Sequence, residues 1–105
     1  MQFYDVIENR TAVREFQSTP VDKDSLARAI NSAMMSPSWK NNTSYKFILV
    51  DDPREKDMLA NCIVNDTNKA SDAVKQAPMV AVIVADPAKS GVVADKEYYL
   101  VDSAI

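Results

Sequence analysis

The sequence predicts a fold that mixes helices with a small sheet. Two observations carry this reading. Several stretches repeat apolar residues at helical spacing, and two short runs, 45–50 and 79–85, are apolar over most or all of their length. The second run, apolar throughout, predicts a strand buried on both faces. A third observation bounds the answer: 105 residues, 47% hydrophobic and 26% charged, make one ordinary folded domain at most.

The elements follow in order. Residues 2–9 read as a short helix, with Phe3, Val6 and Ile7 on one face. The stretch Arg10-Thr11-Ala12-Val13-Arg14-Glu15-Phe16 has no helical period, and Pro20 closes the loop it opens. Asp22 is a good N-cap for a helix over 22–35, where Leu26, Ile30, Ala33 and Met34 share a face. Pro37 stops that helix, because the residue before proline is driven out of the α region. Residues 37–44 form a polar loop with one exposed-looking aromatic, Trp39. A strand over 45–50 follows. Asp52 caps the next helix, with Pro53 at its first position. Its expected buried stripe is Met58, Leu59, Cys62 and Ile63, and its expected solvated face is Arg54, Glu55, Lys56 and Asp57. Residues 64–71 are polar and turn-like, and a short helix spans 70–76. Ala77-Pro78 leads into the second strand, 79–85. A loop over 86–91 precedes a final helix that starts near Asp95 or Lys96, where Tyr98 and Tyr99 are packing residues.

Composition removes several chemistries. Average usage would give about 7 Gly in this length, but Gly91 stands alone. Loops that cradle phosphate on backbone N–H groups need several glycines close together, so neither a P-loop nor a dinucleotide turn is present. There is no His, which excludes imidazole zinc sites and Ser–His or Cys–His nucleophilic pairs. No metal site is expected. Cys62 has no partner for an internal disulfide, which fits a reducing, cytoplasmic compartment. The net charge of −3 argues against nucleic acid as a partner. No apolar run approaches the roughly 20 residues of a membrane helix, and the N-terminus lacks a signal-peptide pattern.

Two features predict a chain truncated within its last helix. Both strands read as buried, yet two strands alone are marginal. The last helix, with Tyr98, Tyr99, Val101, Asp102 and Ile105, runs to the terminus without Gly, Pro or a basic final turn. The alternative is a small domain that dimerises through this helix.

Four motifs in order carry a resemblance. They are Arg10-Thr11-Ala12-Val13-Arg14-Glu15-Phe16 after a short helix, and Ser36-Pro37-Ser38-Trp39-Lys40-Asn41 before a strand. Ala77-Pro78 before an apolar strand and Tyr98-Tyr99-Leu100-Val101-Asp102 at the start of a helix complete the set. Together they resemble the nitroreductase family of FMN-dependent oxidoreductases, whose pattern is Arg-x-Ser-x-Arg-x-Phe followed by Pro-Ser-x-x-Asn. The resemblance covers the whole chain and about the N-terminal half of the family's domain. It implies an α+β fold, a central β-sheet flanked by helices, with residues 1–105 as the N-terminal part of one nitroreductase-like domain.

The resemblance also implies a function. NAD(P)H reduces FMN, and the flavin then reduces a nitroaromatic, quinone or similar small-molecule acceptor in a ping-pong cycle. FMN lies at the interface of a homodimer. By resemblance Arg10 holds the phosphate or ribityl end, and Arg14 approaches the pyrimidine edge of the flavin. Arginine suits both places, as a planar and permanently charged donor. Pro37, Ser38, Trp39 and Asn41 match the second flavin loop, and Asn68 matches an Asn that bonds the flavin ring. The cofactor carries the hydride chemistry, so no catalytic side chain is expected from this chain. Two departures stand out. Ala12 replaces the family's Ser, with Thr11 beside it as a substitute hydroxyl. Thr43-Ser44-Tyr45 replaces a common Gln-Pro-Trp and removes a flavin-contacting amide. The contrasting expectation is a flavin-free truncated remnant, or a dimerising interaction module without catalysis.

Overall fold

The computed structural model describes residues 1–64 and 69–105. Among them the elements run α1 (Phe3–Asn9), α2 (Lys23–Met34), a 3-10 turn (Trp39–Asn41), β1 (Tyr45–Val50), α3 (Pro53–Asn61) and α4 (Ala70–Gln76). Then come β2 (Val80–Ala85), a second 3-10 turn (Pro87–Lys89), the hairpin strands β3 (Val92–Val93) and β4 (Lys96–Glu97), and α5 (Tyr98–Ala104).

Local chemistry sets the helix starts. The Asp22 carboxylate accepts the Ser25 N–H at 3.0 Å and the Ser25 hydroxyl, which fixes the first turn of α2. Asp52 does the same for α3, accepting from the N–H groups of Arg54 at 2.8 Å and Glu55 at 3.3 Å, with Pro53 pre-set for the first helical position. The end of α2 is tied to the sheet. The Tyr45 hydroxyl lies 3.3 Å from the Ser36 hydroxyl and donates to the Ala33 carbonyl at 3.4 Å.

β1 and β2 pair antiparallel, from Tyr45 opposite Ala85 to Val50 opposite Val80. The Asp86 N–H extends this ladder to the Ser44 carbonyl at 2.7 Å. α5 packs on both strands, and α3 packs on α4. The core is small: Tyr45, Val50, Ala60 and Ala77 are its buried apolar members.

Several expectations are corrected here. The strands are not buried on both faces; Ile48, Leu49, Ile83 and Val84 are exposed, because each strand has one described neighbour and helices do not cover the sheet fully. In α3, Met58 and Cys62 are exposed, while Lys56 and Ala60 are buried. The Lys56 Nζ donates to the Ala77 carbonyl at 2.7 Å, so this side of α3 turns toward the end of α4. The β3–β4 hairpin follows the loop expected over 86–91, so the last helix starts at Tyr98 rather than near Asp95 or Lys96.

Candidate functional site

The residues expected to meet a cofactor fall into two groups. Arg10, Thr11 and Ala12 lie in the irregular segment after α1 and are exposed. Arg14 follows in the same segment, which the Phe16 N–H anchors to the Gln76 side chain of α4 at 2.8 Å. Arg14 lines a cleft of about 500 Å³ whose walls include Val13, Phe16, Ala73, Val74 and Val80. A smaller cleft that Arg14 also lines holds Glu15, Lys69 and Asp72. Among the described residues neither the Arg10 nor the Arg14 guanidinium is in an ion pair. Both are therefore free to bind an anion.

The second group is the loop after α2. Pro37 and Asn41 are exposed, and Ser38 and Trp39 are half-buried. Its backbone is unusual: Lys40, Asn41 and Thr43 have φ of 47°, 58° and 49°. These are left-handed values for residues that carry a Cβ, and such positions cost about 1–3 kcal/mol each. Hydrogen bonds hold the shape. The Thr43 N–H donates to the Ser38 hydroxyl at 3.0 Å, the Asn41 N–H to the Ser38 carbonyl at 3.0 Å, and the Asn42 N–H to the Trp39 carbonyl at 2.9 Å. The Trp39 N–H donates to both Asp102 carboxylate oxygens, at 3.1 and 3.2 Å. The Trp39 ring sits 4.8 Å from the Tyr98 ring, and Gly91 abuts its indole. Trp39 is thus not the exposed aromatic the polar loop predicts. Its ring is held by α5 and the turn before β3, and the Lys40 ammonium lies 5.8 Å from its centroid.

The structure does not bring the two groups into one cleft. The walls of the Arg14 clefts contain no residue of 37–41. Asn68 lies outside the described residues. Sequence reasoning missed Ser44, Ser90 and Asp102 as partners of the loop. The Ser44 and Ser90 hydroxyls both donate to the Asp102 Oδ2 at 3.2 Å. A signal was present: Asp102 is the one carboxylate in the apolar run Tyr98–Ala104.

Residues 7–104 match the family model of the nitroreductase family. The chain belongs to the nitroreductase family. Its fold is the nitroreductase α+β fold. A nitroreductase family protein from Clostridium novyi NT is 48% identical, with a TM-score of 0.94 over 100% of this chain and 59% of that one. An FMN-dependent nitroreductase from Clostridium difficile R20291 is 26% identical, with a TM-score of 0.81 over 98% of this chain and 54% of that one. The chain thus spans a little over half the length of these nitroreductases. Comparison with curated proteins found no match.

The residues present fit a flavin mononucleotide in kind. Two unpaired guanidiniums suit its phosphate and an electron-rich ring edge. The exposed Asn41 amide suits ribityl hydroxyls or a ring edge. The Ser38 hydroxyl accepts from Thr43 and keeps its own proton to donate. Among the described residues no group of acidic or Cys side chains is arranged to hold a metal ion. No helix among them is long and apolar enough to cross a membrane.

Proposed function

We propose that this chain is the N-terminal part of an FMN-dependent, NAD(P)H-using oxidoreductase that works in the cytoplasm as a homodimer. The carrying observation is the family match over residues 7–104, alongside Arg10 and Arg14 that make no ion pair among the described residues. When bound, FMN supplies two-electron hydride chemistry between NAD(P)H and a nitroaromatic, quinone or similar acceptor. Arg10 binds the phosphate or ribityl end. Arg14 sets a fixed positive charge beside the pyrimidine edge, which favours the reduced, more negative form of the ring. Ser38 and Asn41 hydrogen-bond the cofactor, and Pro37 and Trp39 pack the wall beside it. Thr11 stands in for the hydroxyl lost at Ala12. Asn68 is the remaining ring contact in this reading. In this reading the site is built from two copies, each lending one group.

The test is titration of the protein with FMN, followed by flavin fluorescence and absorbance. Micromolar or tighter binding is expected, and bound flavin should bleach on adding NADH or NADPH. Arg14→Ala should weaken binding about 10-fold or more, the loss of one charge-assisted hydrogen bond. A protein that leaves the flavin spectrum unchanged at high concentration sinks the proposal and favours a flavin-free interaction module.

A further inference from the structure

We propose that Asp102 is the positioning residue of the Trp39 loop. Its carboxylate sets the shape that residues 38–43 present to the cofactor. This rests on the reading of that loop as a flavin contact.

Asp102 is only 5% exposed, on a helix otherwise made of apolar and small residues. A buried carboxylate is costly unless its oxygens are hydrogen-bonded. Here they accept from the Trp39 N–H at 3.1 and 3.2 Å, and from the Ser44 and Ser90 hydroxyls at 3.2 Å each. The three donors come from separate segments: the loop, the residue before β1, and the turn before β3. One side chain therefore joins α5 to the loop, to the start of β1 and to the turn before β3.

Besides the Trp39 ring packed on Tyr98 and against Gly91, the loop has few outside holds. Its other backbone hydrogen bonds close within residues 38–43. Among the described residues, the hydrogen bond that leaves this segment for another element ends on Asp102. Three left-handed residues inside it would relax without an external anchor. The Trp39 N–H is the first donor of the turn, so fixing it fixes where Lys40 and Asn41 project. Ser44 is the most buried polar residue and donates to the same oxygen as Ser90. That shared oxygen makes the anchor sensitive to any change in acceptor capacity. Replacing it by an amide nitrogen would set donor against donor.

Trp39 is the single tryptophan of the chain, so its fluorescence reads this loop alone. The experiment compares wild type, Ser90→Ala and Asp102→Asn by Trp emission, acrylamide quenching, far-ultraviolet circular dichroism and FMN titration. With helical content unchanged, Asp102→Asn should shift Trp39 emission to the red and raise its quenching about twofold, and weaken FMN binding about 10-fold. Ser90→Ala should move both in the same direction by less. An unchanged Trp39 signal in Asp102→Asn overturns the proposal, and so does a freed Trp39 with unaltered FMN affinity. If Asp102→Asn loses its helical signal, Ser90→Ala decides by the same two readouts. A wild type that takes no FMN overturns the flavin reading instead, while the Trp39 measurements, which need no ligand, still decide whether Asp102 shapes the loop.

Discussion

Gly91 lacks a side chain because Trp39 fills the space a Cβ would need: a Cβ built there would collide with the Trp39 Cε2. Its φ is not positive, so close approach and not backbone freedom requires glycine. Gly91→Ala must push Trp39 off Tyr98 or bend the turn before β3. Overpacking of this kind costs about 1–3 kcal/mol, so the melting temperature should fall by several degrees and Trp39 emission should shift. An alanine variant with wild-type melting and emission would contradict this account. The sequence makes Gly91 conspicuous by its solitude, but nothing in the sequence pairs it with Trp39, 52 positions away. Lys56 and Asp102 illustrate the same limit. Helical patterning assigns charge to solvent, yet the Lys56 stem can run along apolar surface to place its ammonium on the Ala77 carbonyl. Asp102 is legible as a misfit in an apolar run. Its role depends on three donors brought in by the fold.

At the scale of elements, the starts of α2 and α3 are the most legible features, because a cap is a local contract between neighbours. Asp22 and Asp52 cap α2 and α3 as their positions predict. The β3–β4 hairpin was not legible. Its turn residues Ala94 and Asp95 have φ of 50° and 61°, values that Asn-Gly or Asp-Gly would announce and Ala-Asp does not. The Asp22 cap carries a pH prediction. Hydrogen bonds from the Ser25 hydroxyl and N–H hold the Asp22 carboxyl below its usual range. A carboxyl with a lowered folded pKa stabilises the fold above its unfolded value, near 3.8. That contribution is lost as pH falls through the lower folded value. Asn is also a good cap and carries no charge. Asp22→Asn should therefore melt close to wild type at pH 7 and show a shallower loss of stability below about pH 4. Melting curves from pH 7 down to pH 2 measure this, and parallel acid limbs for the two proteins would refute it.

The whole molecule exposes more surface than its mass warrants. A compact monomer of 11.6 kDa shows about 5,800 Å², whereas this chain shows 8488 Å². Its radius of gyration, 15.8 Å, exceeds the roughly 13 Å expected for a folded domain of this length. The excess is substantially apolar. Ile48, Leu49, Ile83 and Val84 on the sheet, Leu100 and Val101 on α5, and Phe3, Val6 and Ile7 on α1 are all exposed. Even the amphipathic face of α2 is only partly closed, since Leu26 and Ile30 line an open groove of about 430 Å³ against Leu49 and Met79. The sequence shows which residues are apolar, and two buried-looking strands without neighbours already hint that cover is lacking, but only the fold shows which faces stay open. Apolar area left in water favours association at about 25 cal/mol per Å² removed. The chain alone should therefore self-associate, and its melting temperature should rise with protein concentration, because association stabilises whatever state it binds. Sedimentation velocity over a wide micromolar range, paired with melting curves at each concentration, tests this. A charged substitution on the exposed sheet face, Ile83→Lys, should weaken association without unfolding β2, whose Ile83 side chain is 48% exposed. A chain that stays monomeric with a concentration-independent melting temperature would show that these apolar faces do not need a partner to be stable.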